Sequence, residues 1–182
     1  MRYFQIGITI LFASFSGSAY AVNPNLLENG SFETGFFTGF QRHNVPPQNP
    51  CQIGNNAAFT AGEPTGGLSS DPVGTHYLAC VANPSNESLT QNVFLETGTY
   101  DVGFSAFPYS YQEPDDEEFI ASVGSTEVVK IKSANSSANH WHLKNGTISI
   151  STAGYYVVRF RYKVVGSLGR DMAVDRLYIA LH

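Results

Sequence analysis

Cysteine and tryptophan are scarce in this chain, with two Cys (Cys51 and Cys80) and one Trp in 182 residues. Two scattered cysteines do not make a structural zinc site, which needs about four ligands at tight spacing. In an oxidising compartment they pair as one disulfide; the alternative is two free thiols. Basic residues are few as well: 10 Lys and Arg stand against 15 Asp and Glu, for a formal charge of −5. Without a basic cluster, nucleic acid and anionic lipid surfaces are disfavoured as partners. Beyond the N-terminus no apolar run approaches the length of a membrane span, so no membrane insertion is expected. The chain also lacks any stretch with helical spacing and caps. It carries no G-x-S-x-G elbow, phosphate-cradling glycine loop or Cys–His arrangement, and no carboxylate pair stands out as catalytic. An enzyme is not expected.

What is present begins with Arg2, an apolar run over 6–15 and a small-residue ending, Ser18-Ala19-Tyr20-Ala21. This pattern predicts a secretory signal peptide over 1–21, leaving 22–182 as one domain, secreted or periplasmic, and monomeric. The next stretch, Asn25-Leu26-Leu27-Glu28-Asn29-Gly30-Ser31-Phe32-Glu33-Thr34-Gly35, is expected to be a short strand bent at Gly30, presenting Glu33 at its end. A second short strand is expected within 36–42. Residues 44–74 are rich in Pro and Gly and are expected to be loop.

Short strands with turn punctuation follow: Thr75–Val81, Leu89–Leu95, Thr99–Phe107, Glu118–Val123, Glu127–Lys132, His140–Ile150 (interrupted at Asn145-Gly146), Tyr155–Lys163 and Met172–Leu181. Period-2 alternation sets Tyr100, Val102, Phe104 and Ala106 against Asp101, Gly103, Ser105 and Phe107. It sets Tyr156, Val158, Phe160 and Tyr162 against Tyr155, Val157, Arg159, Arg161 and Lys163. Such alternation describes antiparallel strands with one solvated face. Roughly nine or ten strands joined by short turns predict an all-β antiparallel sandwich, a jelly roll. In the last strand, regular alternation puts Asp175 on the face of Leu177, Ile179 and Leu181, where a carboxylate must be paired, neutralised or metal-bound.

Several segments resemble one family in order and spacing. Asn29-Gly30-Ser31-Phe32-Glu33-x-Gly35 resembles the opening motif of galactose-binding-like jelly rolls, specifically carbohydrate-binding modules of the family 4/9/16/22 type. Gly74-Thr75-His76-Tyr77-Leu78, Ser88-Leu89-Thr90-Gln91 and Gly98-Thr99-Tyr100 through Phe104 resemble its later strands, and Val174-Asp175-Arg176-Leu177 its closing motif. The resemblance implies core positions for Trp141 and Phe160. It also implies a structural calcium between first and last strands, with Glu33 and Asp175 as carboxylate ligands and backbone carbonyls near Gly30 and Gly74 completing the shell. An all-oxygen set of about six to eight ligands suits Ca²⁺. The chain departs from the family at Arg176, where a second acid is usual, and at Gly39-Phe40, where Gly-Trp is usual. Without a metal, Arg176 or Arg170 would neutralise the acids.

For ligand contact, Phe107, Tyr109, Tyr111 and Gln112 precede the acid run Asp115–Glu118. Aromatic rings stack on the C–H faces of sugars, and amides and carboxylates bond hydroxyls. Those four residues are the expected carbohydrate contacts; the alternative is a solvated loop, and the acids are a further candidate cation site. His140 and His142 share a strand face but lack a third metal ligand. Arg159, Arg161 and Lys163 would contact acidic polysaccharide or pair with Asp101 or Glu118. Together these features predict a secreted carbohydrate-binding module for a cell-envelope or extracellular glycan, with a structural or adhesive protein of the same fold as the alternative.

Overall fold

The computed structural model describes residues 24–45, 51–64, 74–81, 86–109, 117–164 and 171–182. The expected signal peptide lies outside these residues, as do Tyr111, Gln112, Asp115, Asp116 and Arg170. The described chain forms ten strands: β1 (Gln41–His43), β2 (Cys51–Asn55), β3 (His76–Cys80), β4 (Asn86–Leu95), β5 (Gly98–Pro108), β6 (Glu118–Val123), β7 (Thr126–Lys132), β8 (His142–Ile150), β9 (Gly154–Lys163) and β10 (Met172–Leu181). They make two five-stranded antiparallel sheets, β1-β4-β9-β6-β7 and β2-β3-β10-β5-β8. This is the predicted jelly-roll sandwich.

Alternation decides which side chains meet between the sheets. Leu89, Val93, Phe119, Val158, Phe160 and Tyr162 from the first sheet pack against Leu78, Val102, Phe104, Val174, Leu177 and Ile179 from the second. The rule of one solvated face fails for β5, whose outward Asp101 and Ser105 are buried too. Tyr178 lies against Gly103, so close that a Cβ there would stand 2.5 Å from its hydroxyl. The His182 ring meets Asp101 at 2.9 Å. Gly146 likewise does not interrupt β8. It stays paired with Val102 and lets the strand approach the Val128 carbonyl of β7.

Two further expectations need correction. The 44–74 stretch contains β2 and a one-turn helix, α1 (Ala57–Thr60), capped by the Asn56 side chain on the Ala58 and Phe59 amides. Short propensity signals were masked there by Pro and Gly. Residues 25–35 form a chain of turns and no strand. Left-handed backbone at Asn29 (φ 55°), Phe32 (φ 58°) and Gly35 (φ 73°) is incompatible with extension.

Cys51 and Cys80 form the disulfide, facing one another across the β2–β3 pair with Cα atoms 4.0 Å apart. The bridge spans a sequence separation of 29, for which chain-entropy arguments give about 3–4 kcal/mol of stabilisation. A Cys51→Ala/Cys80→Ala variant should therefore melt roughly 10 °C lower in calorimetry. A shift of only a degree or two would mean that the flanking sheet already holds β2 in place. Arg42 ties the same edge across the sandwich. It donates to the buried Glu87 carboxylate (2.7 Å) and to the Cys51 carbonyl (3.0 Å), with its guanidinium 4.3 Å from the Phe37 ring centroid.

Candidate functional site

Two groups of residues lie side by side on the outer face of the β2-β3-β10-β5-β8 sheet: a buried acid pair and an aromatic cluster. Both depend on the segment 56–64 that crosses this face.

The acid pair originates in a break of β10. The register with β5 slips between Asp175 and Tyr178, and Arg176 adopts left-handed backbone with φ 51°. A non-glycine residue there carries roughly 1–3 kcal/mol of strain. The bulge corrects the face assigned to Asp175. Val174, Leu177 and Ile179 enter the core, while Asp175 pairs with outward-facing Ser105, away from those apolar residues. Asp175 is fully buried nonetheless, and its Oδ1 accepts the Arg176 amide at 2.7 Å. Its neighbour is Glu63, which the sequence reading did not single out. Among the described residues, both Glu63 oxygens and Asp175 Oδ2 are buried with no donor aimed at them, and the two carboxyls interact with each other. Burial, and then the Glu63 carboxyl, push Asp175 up to about 10. Burial likewise raises Glu63, opposed by interaction with Asp175 and by the Arg176 charge.

The loop bearing Glu63 is held at several points. Arg176 Nη1 donates to the Pro64 carbonyl (2.6 Å), Thr60 Oγ1 to the Gly74 carbonyl (2.6 Å), and Trp141 Nε1 to the Phe59 carbonyl (3.2 Å).

Glu33 approaches from the N-terminal turns. Its carboxylate accepts the Thr75 and His76 amides at 3.0 and 2.9 Å, and its charge reaches both Asp175 and Glu63. Gly74 is what permits this, since a Cβ there would stand 1.8 Å from the Glu33 carboxyl carbon. Gly30 plays a similar part against β10. Its carbonyl accepts the Leu177 amide at 2.9 Å, and a Cβ would meet the Leu177 carbonyl oxygen at 2.1 Å. Asn25 completes the join, donating to Leu177 O (2.9 Å) and accepting from Ile179 N (3.2 Å). First turns and last strand are thus neighbours, zipped at the bulge. Gly30→Ala should cost about 3 kcal/mol, read as a lower denaturant midpoint; an unchanged midpoint would show that the turn can move aside.

Among the described residues no three His, Cys, Asp or Glu side chains already converge as a metal group. Among the described residues, those that could hold a cation are Glu63 and Asp175, two buried carboxyls that face one another with the Arg176 charge acting on Glu63, and Glu33, whose charge reaches both. His142 does not contribute, being bonded through Nε2 to the Ser137 carbonyl at 2.8 Å. Glu118 is bound to Lys132 at 2.8 Å.

The aromatic cluster is built around Phe59 of α1. Its ring lies 4.9 Å from Tyr77, 4.8 Å from Phe107, 5.1 Å from Trp141 and 5.9 Å from Tyr109, the last nearly parallel at 7°. Phe107 also touches Tyr109 (5.1 Å) and Trp141 (5.5 Å). All five rings are half-buried. Beneath them the outward residue of β10 is Ala173, paired with Ala79 and Phe107, and its small side chain leaves room for the rings. Burial, aided by Tyr77 and Asp171, raises the Tyr109 phenol to about 12, so it stays a neutral donor at physiological pH. Trp141, expected in the core, belongs to this outer cluster, whereas Phe160 is in the core. Phe59 is not singled out by the sequence, Tyr77 appears only within a strand motif and Trp141 only as a core position, because these rings come from segments remote in sequence. Only alternation at Tyr77, opposite Leu78, hinted at an outward ring.

No family model matches the chain, and no curated protein matches it in sequence. Solved structures do match in fold. A carbohydrate-binding module, TmCBM61, solved in complex with β-1,4-galactotriose, aligns at TM-score 0.61 and 18% identity over 87% of this chain and 99% of its own. The second family 16 carbohydrate-binding module aligns at 0.51 and 13% identity, over 86% of this chain and 99% of its own. The Stig cyclase Fisc from Fischerella sp. TAU aligns at 0.57 and 12% identity, over 87% and 96%. The chain has the β-sandwich fold that carbohydrate-binding modules share with at least one enzyme.

Proposed function

We propose that this protein is an exported, non-catalytic carbohydrate-binding module whose ligand lies on the aromatic face formed by Tyr77, Phe107, Tyr109 and Trp141 around Phe59. The observation that carries this reading is the half-exposed ring cluster on the outer face of one sheet, in a fold common to such modules. Ring faces accept pyranose C–H groups, while the phenols of Tyr77 and Tyr109 offer hydroxyl partners. The disulfide and the signal-like N-terminus support an extracellular or periplasmic setting. A monomer suffices for this role.

Calcium belongs to the same proposal. Glu63 and Asp175, with Glu33 at hand, offer hard oxygen donors suited to Ca²⁺, and backbone carbonyls can complete its shell. The ion would supply the positive charge that lets both buried acids ionise. Because Glu63 follows α1, it would also brace the segment that presents Phe59.

A second reading, a structural or adhesive protein without sugar affinity, draws on the way the five rings pack on one another. A glycan array including β-1,4-galactan separates the two. Binding by the folded protein that Tyr109→Leu abolishes supports the first; failure against every glycan class ends it.

A further inference from the structure

The opposite face of the sandwich carries a second arrangement that the aromatic site does not use. On the outer side of β1-β4-β9, a cavity of about 320 Å³ is lined by His43, Asn44, Asn86, Ser88, Arg159 and Arg161. Among the described residues, no carboxylate lines it. In a chain with net charge −5 this is an unusual concentration of donors.

The cations of this face differ in what already neutralises them. Glu118 is bound to Lys132 at 2.8 Å, with Lys163 at 3.6 Å and Lys130 at 3.9 Å. Arg161 meets Glu127 at 3.1 Å. Arg159 is exposed and, among the described residues, faces no acid. It pairs across the sheet with Thr90 and Ser122, and the neighbouring His43 Nε2 is 2.8 Å from Thr90 Oγ1. A planar guanidinium beside hydroxyl and amide groups suits bidentate capture of a carboxylate or sulfate.

Along the same face, four residues back on β9, stands Tyr155, 78% exposed and in edge contact at 5.2 Å with Phe94, itself 46% exposed. The two are cross-strand partners, with exposed Val157 between them and Arg159. Strand geometry sets Tyr155 about 13 Å from Arg159. Exposed aromatics are not needed for a solvated sheet face, and here they share it with an arginine that faces no acid among the described residues.

We propose that this face is a second glycan site, selective for acidic polysaccharide: a uronate carboxylate or sulfate seats at Arg159 and Arg161, and a sugar ring stacks on Tyr155 and Phe94. Neutral glycans lack the group that Arg159 recognises. The site is independent of the aromatic face on the other sheet.

Affinity electrophoresis, using protein from a host that does not glycosylate Asn86, tests this with polygalacturonate, dextran sulfate, neutral dextran and duplex DNA as the embedded probes. Retardation by polygalacturonate or dextran sulfate, but not by neutral dextran, is expected, and whichever acts identifies carboxylate or sulfate as the recognised group. Arg159→Gln should weaken retardation at least fivefold and Tyr155→Ala at least threefold, whereas Tyr109→Leu on the opposite sheet should leave it unchanged. No retardation by either acidic glycan, an unaffected Arg159→Gln variant, or equal binding of DNA through Arg159 would each overturn the proposal. Loss of binding in Tyr109→Leu would assign acidic glycans to the other face.

Discussion

Asp175→Asn should raise the melting temperature of the calcium-stripped protein by several degrees and at the same time abolish its response to calcium. In the stripped protein Asp175 is fully buried and its carboxyl is pushed up to about 10, first by desolvation and then by Glu63. The unfolded carboxyl titrates near ~3.9. Because the folded value is the higher one, the proton-linked contribution to stability is complete below about pH 4 and is lost progressively as pH rises towards about 10. An amide in place of the acid is neutral throughout and can donate to a Glu63 oxygen at every pH, a gain of about 1–2 kcal/mol near neutrality.

Bound calcium would reverse this for the native residue. At 100 times its dissociation constant, an ion that binds only the folded state adds about 2.7 kcal/mol, or roughly 5–10 °C for a chain of this size. Its affinity should rise with pH, because binding must displace the protons held by the acid pair. Calorimetry with chelator or calcium at pH 5 and pH 8, on wild type and Asp175→Asn, checks every part. An unchanged wild-type melt on chelation removes the metal. Glu63→Gln should behave like Asp175→Asn, which separates the buried pair from Glu33.

The second large effect is on binding. Tyr109→Leu keeps apolar bulk beside Phe59 and Phe107 but removes the π face and the phenol. Loss of one stacking ring from a binding site should weaken a captured glycan at least tenfold, about 1.4 kcal/mol, with little change in melting. Trp141→Ala should be more severe, because it also breaks the bond to the Phe59 carbonyl that seats α1. Calcium removal should weaken glycan binding too, since Glu63 and Phe59 lie on one short segment. Titration of an array-identified glycan into each variant, with and without chelator, reads all three. Undiminished affinity in Tyr109→Leu and Trp141→Ala would move the site elsewhere.

The sequence by itself determined the fold. Alternation along β5 and β9 places Val102, Phe104, Val158 and Phe160 between two sheets, because successive side chains on an unbroken strand point to opposite faces. The cysteine pairing followed from there being only two. It also drew attention to Glu33 and Asp175, as a carboxylate beside glycine and another in an apolar strand that needs a partner. What lies around them was decided only by tertiary structure. Alternation presumes an unbroken strand, and the bulge at Asp175-Arg176 shifts every later side chain of β10 by one position. That single extra residue turns Asp175 from the core to the outer face. There it meets Glu63, 112 positions earlier in the chain, delivered by a one-turn helix too short to leave a periodic signal. The aromatic face has the same origin. Its five rings come from α1, β3, the end of β5 and the approach to β8, and no local pattern records that these points converge.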